Sequence, residues 1–184
     1  RSGNARRRSW WVPPSRGRWT LADVIAKRTA ARDLALLQAA TGMRVGTARQ
    51  VRAAMAQELD GALCFELPGE ICKGGRGYRA FVLEPRIEAW LRERLAGLGP
   101  GALLVAAPSD PQKVWDASAA TKASKDLYLS MRDALGIEVF ETERTHVFRA
   151  TLNDITEDVV PAEHRAAQLG HTVEVNRASY TDRA

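Results

Sequence analysis

Between positions 20 and 58 the apolar residues recur at intervals of three and four, the spacing that lines one face of a helix. Thr20 opens this pattern, with Leu21, Val24 and Ile25 on one face. A second helix is predicted over 33–40, with Leu34, Leu36 and Leu37 inward, stopping at Gly42. A third is predicted over 47–58, with Val51, Ala54 and Met55 inward. The period then changes. Residues 62–67 read as a short strand, and 70–73 and 78–83 as a hairpin around Gly74-Gly75-Arg76-Gly77. Pro85 opens a helix over 86–96, with Ile87, Trp90, Leu91 and Leu95 on one side. Residues 103–106 read as a short extended piece, and 120–135 as a helix ended by Gly136. A helix over 145–155 takes Thr145 as its N-cap. Pro161 opens another over 162–169, closed by Gly170, and the last covers 173–180. No internal repeat interrupts the series. The predicted class is mostly α (α+β), with one small three-stranded antiparallel sheet.

Composition narrows this little: 184 residues, 45% hydrophobic and 27% charged, suit one soluble domain with a sizeable core. There is no run of eighteen apolar residues and no charged-then-apolar leader, so neither a membrane span nor a secretory signal is expected. Arg1 is not a start methionine, and the expectation is a piece excised from a longer protein. Cys64 and Cys72 stand alone, too few for a disulfide scaffold or a metal site, and read as reduced strand residues of a cytoplasmic protein. Charge is unevenly spread. Six arginines and no acid fall within residues 1–18, which exceeds the whole net charge of +5 and leaves −1 for the rest. Residues 1–19 therefore read as a basic linker or arm ahead of a domain over 20–184. Interleaved Trp10, Trp11 and Trp19 suit phosphate contacts plus base stacking, or equally a solvated tail whose tryptophans pack on the domain.

The C-terminal third carries the candidate chemistry. His146-Val147-Phe148-Arg149 puts two side chains three apart on one helix face. Leu169-Gly170-His171 follows, and Tyr180 comes nine residues after His171. Upstream stand Thr41-Gly42-Met43-Arg44 after a leucine-rich helix, and Gly69-Glu70-Ile71-Cys72-Lys73-Gly74-Gly75-Arg76 in the hairpin. In order and spacing these motifs resemble the tyrosine recombinase (phage integrase) family over about residues 33–184. The chain departs from the family pattern at Thr47, where a carboxylate is usual, and at Phe148, where leucine is commoner. The resemblance implies a helical catalytic domain with its small sheet, here without the family's N-terminal DNA-clamping domain.

It also implies a reaction: cleavage and rejoining of double-stranded DNA through a 3′-phosphotyrosyl link. The protein would act as a homotetramer in the synaptic complex and be associated with the nucleoid. The residue types suit that chemistry. Attack at phosphorus builds charge on the non-bridging oxygens, and Arg44 and Arg149 can clamp them with guanidinium forks. His171 can add a hydrogen bond to the same phosphate. Tyr180 is the nucleophile, and His146 is the candidate base or orienter. By resemblance Lys73 protonates the leaving 5′-oxygen. Side-chain cations would do a metal's work, so neither metal nor cofactor is expected. Arg16 and Arg18 on the arm are candidate DNA contacts, while Arg76 and Arg79 beside the hairpin touch the DNA backbone or solvent. Each residue has an ordinary alternative: a capping tyrosine, a structural ion pair, a solvated hairpin lysine. Two rivals share most of the constellation. One is a type IB topoisomerase, which the short gap from His171 to Tyr180 disfavours. The other is an inactive DNA-binding module of the same fold, which Thr47 favours.

Overall fold

A computed structural model describes residues 20–142 and 146–178 of the chain. Arg16, Arg18, Thr145 and Tyr180, with the roles expected of them, lie outside the described residues. The chain begins with α1 (Leu21–Thr41), one continuous helix where two were expected. The stretch between the two expected pieces, Ala26 to Arg32, is alanine-rich and holds neither glycine nor proline, so nothing breaks it. Thr20 and Asp23 close its start reciprocally: the Thr20 hydroxyl accepts from the Asp23 amide, and the Asp23 carboxylate accepts from the Thr20 amide. Its first half is open, with Leu21 65% and Ile25 56% exposed. Its second half, from Ala31 to Thr41, is the axis of the fold, with Leu34 and Leu37 fully buried.

The helix expected over 47–58 does not form. One helical turn, α2 (Val45–Ala48), is followed by a 3₁₀ turn (Ala53–Met55) and by the strand β1 (Ala56–Leu59). A tertiary partner overrides the local pattern. The amides of Ala53 and Ala54 donate to the carbonyls of Ala102 and Pro100, and the Val51 carbonyl accepts from Leu104. Ala54, expected inward, is exposed. Strands β1, β2 (Ala62–Leu67) and β3 (Tyr78–Phe81) form an antiparallel sheet in that order. Asp60-Gly61, both at positive φ, makes the tight β1–β2 turn. The segment 70–73 is not a strand. It belongs to the long β2–β3 connection, which contains a 3₁₀ turn (Gly69–Ile71), so Lys73 and the buried Cys72 sit on a loop.

The rest is mainly helical. α3 (Pro85–Ala96) starts at the expected proline. A small hairpin of β4 (Ala106–Ala107) and β5 (Asp110–Val114) replaces the single extended piece expected near 103–106. α4 (Ala117–Leu135) begins three residues earlier than expected because the Asp116 side chain caps it. Then come α5 (Val139–Thr142), α6 (Val147–Ile155), α7 (Ala162–Gln168) and α8 (Val173–Asn176). The mostly helical class with one three-stranded antiparallel sheet is thus observed. On one side of α1 the sheet and α3 enclose the main core around Phe65, Leu67, Leu91 and Leu104. On the other, α4, α5 and α6 contribute an aromatic cluster. Tyr128 stacks on Phe140 at 5.7 Å and meets Phe148 edge-on at 5.7 Å.

This cluster is wired to the backbone beside Arg44. The buried Tyr128 hydroxyl donates to Gln38 Oε1 at 3.1 Å, and Gln38 Nε2 donates to the Met43 carbonyl at 3.2 Å. Tyr128→Phe keeps the ring stacking and removes one hydrogen bond to a buried amide oxygen. The expected outcome is a loss of about 1–3 kcal/mol in urea-unfolding stability. A variant as stable as wild type would show that the hydroxyl carries no weight.

Candidate functional site

Two helix ends build the site. At the first, α1 runs out into Gly42 at φ 70, a left-handed conformation that glycine adopts without penalty. A Cβ at this position would also stand 2.6 Å from Leu169 Cδ2. The Thr41 hydroxyl donates back to the Leu37 carbonyl at 2.6 Å and accepts from the Met43 amide. The turn leaves the Gly42 carbonyl pointing out and starts Arg44 in a fixed direction. At the second, α7 ends in a Schellman closure. The Gly170 amide donates to the Ala167 carbonyl and the His171 amide to the Ala166 carbonyl. Gly170, at φ 63, turns His171 back toward the first helix end.

Arg149, on α6, lies between these ends. It is 2% exposed. Nη1 donates to the Gly42 carbonyl at 2.8 Å, and Nη2 donates to the Leu169 carbonyl and meets His171 Nε2 at 2.7 Å. Arg44 reaches the same imidazole nitrogen, Nη2 to Nε2, at 3.0 Å across 127 residues of sequence. Three of the candidates therefore converge on one point. Two guanidiniums can only donate, so His171 Nε2 accepts and the ring proton sits on Nδ1. Burial, followed by the charges of Arg149 and Arg44, pushes the His171 pKa down to about 4. The ring is neutral at pH 7, and its Nε2 lone pair is engaged by arginines rather than offering a proton to a phosphate. An anion drawn to the guanidiniums would compete with that imidazole. Among the described residues no carboxylate lies within ion-pairing distance of Arg44.

Lys73 and His146 stand beside this centre. Both are exposed, and with Arg44, Thr47 and Glu70 they line a hollow of about 420 Å³. A larger hollow of about 550 Å³, mostly apolar, opens beyond β3 and holds His171, Tyr78 and Arg76 on its walls. Arg44 lines the first and His171 the second, and the two side chains are in contact. His146 occupies the N-cap position of α6 and makes no side-chain cap bond. Arg76 is exposed on the loop, whereas Arg79 is paired with Glu66, its cross-strand neighbour, at 2.8 Å. His164, assigned no role, is exposed.

Two contributors, Gln168 and Tyr78, escaped the sequence reading, and Thr47 has a contact it did not foresee. Gln168 bridges three backbones: its Nε2 donates to the carbonyls of Thr41 and Phe81, and its Oε1 accepts from the Phe81 amide. Thr47 is buried and donates to the Ile71 carbonyl at 3.2 Å, tying α2 to the loop that carries Lys73. Tyr78 sets its half-buried ring against Gly170. The Asp60-Gly61 pair, not used in the sequence analysis, is a local signal that could have located the β1–β2 hairpin, but no local pattern marks Gln168 or Tyr78.

Neither a protein-family model nor a curated protein sequence matches the chain. Among solved structures, the fold is similar to that of the XerH site-specific recombinase bound to its difH substrate in a pre-cleavage complex. The TM-score is 0.59 at 17% identity, over 90% of this chain and 51% of that one. The chain thus spans about half the length of that protein. The likeness is one of fold, a helical domain with its small sheet arranged as in a tyrosine recombinase. No helix among the described residues is long and apolar enough to cross a membrane.

The neutral His171 has a measurable consequence. Its pKa lies at about 4 in the folded chain against 6.5 ordinarily, so between those values the unfolded chain holds more protons. Stability contributed by His171 is therefore present above pH 6.5 and lost as the pH falls toward 4. Urea unfolding of wild type and His171→Gln across that range should show the wild-type advantage shrinking with acid. A constant difference would place the His171 pKa elsewhere.

Proposed function

We propose that this chain is the catalytic domain of a site-specific DNA recombinase of the tyrosine type. It cleaves one DNA strand at a time by transesterification and reseals it without a metal or nucleotide cofactor. The observation that carries the reading is the meeting of Arg44 and Arg149 at His171. The fold likeness to a recombinase bound to its DNA substrate supports the same class of partner for this chain.

In this reading a backbone phosphate displaces the imidazole from the guanidiniums, which then grip its two non-bridging oxygens. A guanidinium about 4 Å from a developing charge contributes on the order of 4 kcal/mol at an effective dielectric near 20. Held by main-chain carbonyls, Arg149 needs no reorganisation as that charge grows. The Tyr180 oxygen attacks phosphorus and gives its proton to His146, and the bond to the 5′-oxygen breaks as Lys73 protonates it. The product is a tyrosyl ester to the 3′-phosphate and a free 5′-hydroxyl. A second 5′-hydroxyl attacks that ester, reverses the proton transfers and frees the tyrosine. The shared hollow of Lys73, His146 and Arg44 supports their acting on one phosphate in this reading. Four copies acting on paired DNA sites would complete the exchange, with Arg16, Arg18 and Arg76 as backbone contacts. Arg79 joins them where DNA competes with Glu66, since an exposed pair contributes only about 0.2–1 kcal/mol.

A nicked duplex that loses its 5′-fragment on cleavage traps the covalent intermediate, which is read as a shifted band on a denaturing gel. Wild type should form the adduct and Tyr180→Phe should not. Arg44→Ala should slow adduct formation about 10²–10³-fold, by comparison with removal of one oxyanion donor. DNA binding with no adduct from wild type would instead identify an inactive module of the same fold, the reading that Thr47 in place of a carboxylate favours.

A further inference from the structure

We infer that Tyr78 is a further phosphate-contacting residue, its hydroxyl donating a hydrogen bond to the anion that Arg44 and Arg149 hold. The inference rests on the proposed function for its substrate, a DNA backbone phosphate, but not for its geometry. Tyr78 opens β3, where alternation sends Arg79 out to Glu66 and turns Tyr78 to the same side as the buried Ala80. That side faces α7 and the His171 turn. The ring lies so close to Gly170 that a Cβ there would stand 2.5 to 2.9 Å from three of its carbons. Glycine at 170 therefore has two functions: it adopts the left-handed turn and leaves room for this ring. Gln168 locks the arrangement by bonding both the amide and the carbonyl of Phe81 on the same strand.

The hydroxyl thus ends among the cations. The charge of the Arg149 guanidinium acts on it, and Arg44 adds its own charge more weakly. Burial outweighs both and raises the phenol pKa, so the group keeps its proton at neutral pH. A protonated phenol has one O–H to give. Among the described residues the Tyr78 hydroxyl donates to no acceptor, while Tyr128, the other described tyrosine, donates to Gln38. An anion bridging Arg44 and Arg149 would supply the missing acceptor. The same protonated, half-buried state makes Tyr78 a poor nucleophile, so it complements Tyr180 rather than replacing it.

Tyr78→Phe removes only the hydroxyl and keeps the ring against Gly170. Two readouts separate this inference from the proposed function. The first is binding of inorganic phosphate followed by ³¹P line broadening, which needs no DNA and no turnover. Loss of a hydrogen bond to a charged group should weaken phosphate binding about 10-fold or more in Tyr78→Phe, with the melting temperature unchanged. A variant that binds phosphate as wild type does, or a wild type that binds none, overturns the inference. The second is single-turnover adduct formation on the nicked duplex. Absence of any wild-type adduct sinks the recombinase reading and leaves the phosphate result to decide on Tyr78. With an active wild type, Tyr78→Phe should react about 10- to 100-fold more slowly. That deficit should vanish on the methylphosphonate stereoisomer lacking the contacted oxygen, a response that a merely structural role would not give. An equal deficit on both stereoisomers and the phosphodiester overturns the contact.

Discussion

A buried guanidinium must be solvated by the protein itself, and the structure is arranged around meeting that demand at Arg149. Taking such a cation out of water costs several kcal/mol unless hydrogen bonds replace the lost hydration. Here the replacements are the carbonyls of Gly42 and Leu169 and the nitrogen of His171. Both carbonyls lie just past the C-terminal ends of helices, where the unsatisfied backbone carries partial negative charge. Two left-handed glycines, Gly42 and Gly170, make those ends turn sharply enough to aim at one cation. Packing of α6 against α1 then brings Arg149 between them, and Gln168 pins α7 to both α1 and β3.

Holding a cation with neutral partners has a chemical consequence. The carbonyls of Gly42 and Leu169 and the neutral imidazole of His171 replace hydration without themselves cancelling charge. Arg44, with no carboxylate within ion-pairing distance among the described residues, adds its charge at the same point. The depressed pKa of His171 is a second expression of it: a proton on that ring would be a third positive charge. Such a centre favours an anion with at least two oxygens and costs little to reorganise when that anion gains charge. Those are the properties that the proposed phosphoryl transfer would draw on.

Much of this was legible in the sequence because the signals are short-range. Thr41-Gly42 and Leu169-Gly170 mark helix ends through the chemistry of single residues, and Pro85 and Pro161 mark starts. The order of Arg44, Lys73, His146, Arg149 and His171 could be read off as a family resemblance, and the fold brings Arg44, Arg149 and His171 of that set together. The failures are long-range. Residues 47–58 have helical spacing, yet the amides of Ala53 and Ala54 are claimed by a segment near 100 that no local window contains. The strand expected at 70–73 lost to the Asp60-Gly61 turn, which sets β2 against β1 as well as β3. Gln168 and Tyr78 matter through contacts with residues far away in sequence, and their types alone announce nothing. Thr47 reads as a missing carboxylate in the sequence and as a tether to the Ile71 carbonyl in the fold.

The central claim is that Arg44 and Arg149 form one anion-binding centre. A crystal structure of the chain with a DNA duplex tests it most directly. The account predicts a single backbone phosphate within hydrogen-bonding distance of both guanidiniums, with His171 Nε2 displaced from at least one of them. A duplex bound on another face, with the contacts of Arg44 and Arg149 to His171 unchanged, would contradict it.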